Sequence, residues 1–288
     1  MQIAATILNG ILLGGLYCLF ATGLSLIFGV MRLVNIAHGD LIVFASYAAL
    51  VATTSLGLNP FLSILIVIPV MTALGYALQR AVLNKTIGSD ILPPLLVTFG
   101  LSIVIQNTLL EGFTADSRRI LAGGIEVNSY EVIPGLAVGI FPLVVFLAAI
   151  IVTAALQYLF YKMPLGRMFR AVSDDYKTSE LMGLNTRHIF SLAMAVCFAV
   201  ISLAGLFMAI KTSFDPTAGP IRLLFAFEAV IIGGLGNLWG TLIGGLVLGL
   251  GQAIGAYIHP GLQVLAGHVV FLIILFVRPE GLFPRIRE

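Results

Sequence analysis

Six polar side chains stand in segments otherwise built for hydrocarbon: Asn35, His38, Asp40, Gln106, Asn107 and Glu228. Amides, an imidazole and two carboxylates can hydrogen-bond a small polar solute or pass a proton. They do not add up to covalent catalysis, because no Ser/His/Asp or Cys/His arrangement sits in a soluble segment that would support it. No G-x-x-x-x-G-K-S/T phosphate loop occurs, so any ATP must be bound by another chain. Only His38 and Asp40 cluster, which is too few for a metal site. His188, His259 and His268 are scattered near the expected span ends. Cys18 and Cys197 lie within apolar runs and read as small buried hydrophobes.

These residues need helices inside a bilayer to hold them. Apolar types make up 59% of the chain and charged types 10%, against about a quarter charged in a soluble domain. The mean hydropathy is +1.09. Several apolar runs reach the roughly 20 residues that cross about 30 Å of hydrocarbon as helix. Segments of about ten alternating residues, the mark of a β-barrel, are missing. The expected fold is an all-α polytopic membrane protein of about eight transmembrane helices (seven to nine), some broken or re-entrant. A net charge of +2 without a basic stripe gives nucleic acid nothing to bind.

The first apolar run, Ile3 to Met31, lacks a basic leader and a cleavage site and reads as the first span. After Arg32, Asn35, His38 and Asp40 comes Leu41 to Val51, too short to span alone. It reaches span length only if the polar cluster lies at membrane depth, which requires a protected cavity for the free backbone groups. Further spans are expected at Pro60–Leu83, Ile91–Leu110 (with Pro93 and Pro94 at the helix start), Pro134–Tyr161, Ile189–Ile210 and Leu262–Val277. Leu223 to Ile258 is too long for one helix, and its glycines predict a break near Gly233–Gly240. Both halves thus carry a break after an apolar run, a possible two-half repeat that points to a transport site.

Sidedness follows from Lys and Arg. Arg80 and Lys85, the island from Lys162 to His188, and the tail with Arg278, Arg285 and Arg287 are basic and belong in the cytoplasm. The loop Glu111–Glu131 holds four acids and two arginines, net −2, and belongs outside with the N-terminus.

The polar residues admit two readings. Asn35 and His38, at i, i+3, share a helical face and can line a translocation path for a zwitterionic or amide solute. Alternatively they are glue between helices, with Arg32 and Asp40 paired across the break. Glu228 is protonated, paired with Arg222, bonded to Gln106 or Asn107, or reaching water at the outer interface; an acid inside a span is a functional candidate. In the island, Ser173 is placed to cap a short helix with Asp174 and Asp175 in its first turn, running to about Met182 and closed by Gly183. Arg167, Arg170 and Lys177 present positive charge there. That loop is either an ordinary positive-inside connection or a docking surface.

The island segment GRMFRAVSDDYKTSELMGLN resembles the cytoplasmic coupling motif of ABC-importer permeases, in the form seen in the branched-chain amino acid permease family. Gly166, Arg167, Arg170, Ala171, Gly183 and Asn185 match its pattern, and Glu180 falls where small residues are common. GVMRLVNIAHGDLIVFASY resembles the family's first signature, FEAVIIGGLGNLWGTLIGGLVLGL its glycine-rich segment, and Arg278–Phe283 its tail. The resemblance extends over nearly the whole chain in the family's order.

It implies one permease domain over residues 1–288 with a coupling loop at 162–188, in the bacterial inner membrane. The coupling residues would be Gly166, Arg167, Arg170, Ala171, Asp174, Asp175, Glu180, Gly183 and Asn185. The path would use Asn35, His38, Asp40, Gln106, Asn107 and Glu228, for branched-chain or related amino acids, urea or short amides. It implies a second permease, identical or paralogous, two ATPase subunits that bind ATP and magnesium, and an extracytoplasmic solute-binding protein; the chain needs no cofactor of its own. The contrasting reading is an ATPase-independent secondary transporter or channel using Glu228, Asp40 and His38 as an ion relay.

Overall fold

The computed structural model describes residues 2–87, 92–133 and 136–283. The expected span starts at Ile91 and Pro134, and Arg285 and Arg287 of the tail, lie outside the described residues. Along the rest, the chain forms α1 (Gln2–Met31), α2 (His38–Ser55), α3 (Pro60–Ala81), α4 (Leu92–Phe113), a hairpin of β1 (Ser129–Ile133) and β2 (Leu136–Gly139), α5 (Ile140–Lys162), α6 (Pro164–Asp174), α7 (Tyr176–Leu181), α8 (Thr186–Lys211), α9 (Gly219–Gly233), α10 (Leu238–Ile258) and α11 (Gln263–Val277). Among the described residues, seven helical segments are long and apolar enough to cross a membrane: α1, α3, α4, α5, α8, α10 and α11 with the short turns that extend α3 and α11. The helical membrane architecture expected from composition is present.

Central helices and lipid-facing helices differ in burial. α1 and α8 are buried along most of their length, whereas α3, α4, α5 and α11 turn apolar faces outward. α1 and α10 run antiparallel with glycines at the crossing. A Cβ on Gly14 would stand 2.6 Å from the Leu246 Cα, and one on Gly249 2.4 Å from the Gly10 carbonyl oxygen. Hydrocarbon offers no hydrophobic drive between helices, so such close backbone packing is what holds them together.

Two helices do not span. α2 has 18 residues and α9 has 15, about 27 and 22 Å at 1.5 Å per residue. The chain after α1 is non-helical through Ala37 and turns back into the bundle, so that the His38 Nε2 lies 2.7 Å from the carbonyl oxygen of Phe20, partway up α1. α2 then runs outward from this buried start. α9 begins beside it: a Cβ on Gly39 would sit 2.0 Å from the Gly219 carbonyl oxygen. From there α9 runs the other way, to the cytoplasmic end. Both expected breaks exist. The second, after Gly233, lies at that cytoplasmic end, where Gly236 packs on Gly29 of α1; the buried counterpart of α2's start is the start of α9.

The basic segments gather at one end. Asn84 donates to the Arg187 carbonyl at 3.0 Å, Ser173 to the Gly29 carbonyl at 2.6 Å, and the Leu282 N–H to Ile232 at 2.8 Å. The acidic loop is tied to the opposite end by reciprocal backbone bonds between Arg118 and Phe214. The positive-inside rule therefore assigns one consistent cytoplasmic face.

Two local expectations are corrected. The helix of the fifth span starts at Ile140, because β2 just before it pairs antiparallel with β1. The island holds two helices, not one starting at Ser173: α6 begins with Pro164 at its first position, and Asp175 caps α7. Ser173 ends α6 with its hydroxyl spent on Gly29, which removes it from capping.

Candidate functional site

The buried start of α2 gathers the polar residues of the first break. Asn35 is fully buried; its Oδ1 accepts from the Ala37 N–H at 3.0 Å, which supports the turn into α2, and its Nδ2 has no partner. His38 is also fully buried. A carbonyl only accepts, so Nε2 carries the proton given to Phe20 and Nδ1 is a bare acceptor, likewise unpartnered. Buried polar atoms almost always find partners, so one orphan donor and one orphan acceptor three residues apart mark this break as a place built for something besides packing.

Asp40 is 1% exposed and faces α4. Its Oδ2 accepts from the Ser102 hydroxyl at 2.6 Å and its Oδ1 from the Gln106 amide at 2.9 Å; the Gln106 amide also reaches Ser102 at 3.3 Å. The Thr98 hydroxyl, one turn earlier, accepts the Ile36 N–H at 3.2 Å. α4 is thus stitched to the break by three polar residues at i, i+4, i+8, one stripe of its face. Arg32 is exposed and does not pair with Asp40, which corrects the expected bridge across the break. Gly219 closes the site from the other side: a Cβ there would fall 1.9 Å from the Asp40 Oδ1. The first turns of two half-helices, each a positive dipole end, therefore flank one carboxylate.

The other expected path residues are placed elsewhere. Asn107 is exposed on the outer side of α4 and bonds back to the Ile103 carbonyl at 2.8 Å. Glu228 is 2% exposed but sits nine residues along α9 from Gly219, about 13 Å, and faces α11. Its Oε1 pairs with the His268 Nδ1, and its Oε2 has no partner. This corrects the expected partners Gln106, Asn107 and Arg222. The His268 ring stacks on Phe225, which in turn packs on Tyr17, whose hydroxyl donates to Gln252 at 2.5 Å. Sequence reasoning missed Thr98, Ser102, Gly219 and His268. A stripe of hydroxyls on α4 was the available signal for the first two. Among the described residues no three His, Cys, Asp or Glu side chains gather closely enough to hold a metal ion.

At the cytoplasmic end, α6 is seated by Phe169 and Val172, both buried. Gly166 lies against the end of α5 so tightly that a Cβ would be 2.1 Å from the Leu159 carbonyl oxygen and 2.5 Å from the Phe160 Cα. Arg167 and Ala171 are exposed, as is Asp174. Arg170 folds back onto α5, donating to the Phe160 carbonyl with its guanidinium 5.1 Å from the Tyr161 ring centroid.

The Asp175 carboxylate accepts the Lys177 and Thr178 N–H groups at 3.0 and 3.2 Å and the Thr178 hydroxyl at 2.5 Å; the Thr178 hydroxyl is the main cause holding its pKa below the usual range. Glu180 accepts from the Thr186 hydroxyl, tying α7 to α8, and Asn185 caps α8 through the His188 N–H at 3.1 Å. Gly183 has φ +85° and closes α7, with the Leu184 N–H bonding the Ser179 carbonyl at 3.1 Å. Leu181 and Met182, 88% and 80% exposed, project from this turn into the aqueous phase. Two large apolar side chains so exposed on a cytoplasmic knob are a mark of docking that the sequence reading did not single out.

The sequence pattern described as the permease component of branched-chain amino acid transport systems matches residues 6–278. The high-affinity branched-chain amino acid transport permease BraD of Pseudomonas aeruginosa is 28% identical over 292 residues, covering 97% of this chain and 95% of its own. The corresponding permease LivH of Escherichia coli is 26% identical over 289 residues, covering 96% and 94%. Among solved structures, PsaBC from Streptococcus pneumoniae in complex with Fab aligns over 94% of this chain and 91% of that one with a TM-score of 0.50 at 13% identity, a likeness of fold.

Proposed function

The chain belongs to the permease family of branched-chain amino acid transport systems, and from that premise we propose that it carries branched-chain or closely related amino acids along a path that passes the buried start of α2. It is a multi-pass bacterial membrane protein and the permease subunit of an ABC importer. The full length acts as one permease domain, with residues 162–188 as the coupling loop. It performs no covalent chemistry. ATP and magnesium are bound by two partner ATPases, a second permease completes the path, and an extracytoplasmic binding protein delivers the solute.

The observation that carries the reading is the unspent pair at the first break, the Asn35 Nδ2 donor and the His38 Nδ1 acceptor. A zwitterion offers a carboxylate to the first and an ammonium to the second. Asp40, Ser102 and Gln106 form the wall beside them. Glu228 and Asn107 contribute away from this point, Glu228 by fixing α9 against α11. The site is closed here, so passage requires a second arrangement of the bundle. Closure of the ATPases on ATP biases that two-state equilibrium through the coupling loop, the exposed Leu181 and Met182 being the apolar contact and Gly166 the rigid joint to α5.

The test is reconstitution into vesicles with the partner ATPases and binding protein. Uptake of labelled leucine, isoleucine and valine is expected only with ATP and the full set of partners, and is expected to fall in Asn35→Leu and His38→Leu while the complex still assembles. Ion-driven uptake by the permease alone would instead establish a secondary transporter, and normal uptake by both variants would return these residues to a packing role.

A further inference from the structure

The cytoplasmic ends of α1, α5 and α10 and the helix α6 enclose a cleft of about 470 Å³ that neither the path nor the docking knob uses. Ser25, Gln157, Tyr161, Arg170, Asn237 and Trp239 supply its polar and aromatic lining, with Leu26, Phe160 and Leu238 between them. Two of these are already committed: Ser25 accepts from Thr241 at 2.9 Å, and Asn237 is spent on the Gly240 N–H and the Phe283 carbonyl. The other two polar groups are not. Arg170 gives one of its five N–H bonds to Phe160, leaving four donors in a planar fork. The Gln157 amide is half-buried and has no protein partner among the described residues. No carboxylate lines the cleft, and Arg170 is the one charged side chain among its lining residues.

Its position selects the ligand. Gln157 and Tyr161 belong to the last turns of α5, Trp239 to the first turn of α10, and Ser25 and Gly29 to the last turns of α1. This is the level of the lipid headgroups. Trp239 is 43% and Tyr161 60% exposed, which is the placement of the aromatic side chains that mark a bilayer interface. Lys162 stands exposed beside them at the end of α5. A basic cleft between helix ends on the cytoplasmic side is the geometry that takes an acidic headgroup, and the guanidinium fork fits two oxygens of one phosphate.

We propose that this cleft binds the phosphate of an anionic phospholipid of the inner leaflet, held by Arg170 and Gln157, with the start of the acyl chains leaving past Trp239. The lipid would then bridge α5, α10 and the coupling helix α6. This assignment is independent of the solute carried.

Trp239 is the chain's single tryptophan, so its fluorescence reports this cleft alone. The full chain, purified in zwitterionic detergent, is titrated with phosphatidylglycerol or phosphatidylcholine of the same acyl chains, brominated in a parallel series to quench the indole. Phosphatidylglycerol is expected to give a saturable change at least about tenfold tighter than phosphatidylcholine, weakened about tenfold in Arg170→Gln, in line with loss of a charge-assisted bidentate contact. Because Arg170 also holds the end of α5, Gln157→Leu serves as the second variant. Its amide supports no other residue, and a several-fold weakening is expected with unchanged thermal unfolding. Equal response to the two lipids, or a phosphatidylglycerol response untouched by Gln157→Leu, would overturn the site. An Arg170-dependent response of the same size to inorganic phosphate in lipid-free detergent would overturn the lipid as its occupant and make the cleft a site for a soluble phosphate.

Discussion

Gly166→Ala tests whether force reaches the bundle through the joint between α5 and α6. The new Cβ would start 2.1 Å from the Leu159 carbonyl oxygen, 2.4 Å from that of Phe160 and 2.5 Å from the Phe160 Cα. Real contacts of this kind do not fall below 3.0 Å, and all three obstacles are backbone, so no rotamer change relieves them. α6 must retreat from α5 by about 1 Å (3.0 minus 2.1). Phe169 and Val172, on the same side of α6 and fully seated now, would be drawn partly out of their places. Overpacking of this kind costs about 1–3 kcal/mol, and every 1.4 kcal/mol is a factor of ten in an equilibrium.

The assay is ATP hydrolysis by the assembled importer in vesicles, with and without loaded binding protein. Stimulated hydrolysis and uptake are expected to fall about tenfold or more, with basal hydrolysis and assembly retained. Hydrolysis and uptake within twofold of the parent would refute a rigid α5–α6 joint as the transmitting element.

Gly183→Ala is the conformational counterpart: no atom lies within 4 Å of the added carbon, but φ is +85°, and the left-handed conformation costs about 1 kcal/mol for alanine. A partial loss of coupling, smaller than for Gly166→Ala, is expected in the same hydrolysis assay. Asp40→Leu strips the acceptor from Ser102 and Gln106; each stranded donor costs about 1–3 kcal/mol, so a lowered unfolding temperature in detergent and loss of uptake are expected, and Asp40→Asn, which can still accept one bond, should lie between. His268→Leu is expected to destabilise by about 3 kcal/mol, since it strands the buried Glu228, and Glu228→Leu by less, since the His268 it leaves is 30% exposed, while the double variant should recover much of the His268→Leu loss; additive losses in thermal unfolding would mean the two do not act as a pair.

The spans were legible because hydrocarbon imposes a single requirement, and runs such as Gln2–Met31 meet it without a charge. The first break was legible for the converse reason: Asn35, His38 and Asp40 are too costly at membrane depth to stand there by accident. What the chain could not reveal were choices between equivalent local signals. Ser173 and Asp175 are both good caps. Asp175 takes the role because the hydroxyl of Ser173 is drawn to Gly29, 144 residues away in sequence. Glu228 announced itself, but its partner lies 40 residues on, in an apolar helix where one histidine carries no pattern. β1 and β2 are short, and their pairing competes with an apolar run that reads as the start of a span.

The meeting of α2 and α9 has a mechanical corollary. Each lies in one leaflet and starts beside the other's start, with only hydrogen atoms on Gly39 and Gly219 between their main chains. The bundle therefore has a seam across its waist: the outer half hangs from one short rod and the inner half from another. Tilting either rod grinds backbone against backbone at this hinge point, so that displacement started in one leaflet cannot be absorbed by a yielding side chain before it is felt in the opposite one.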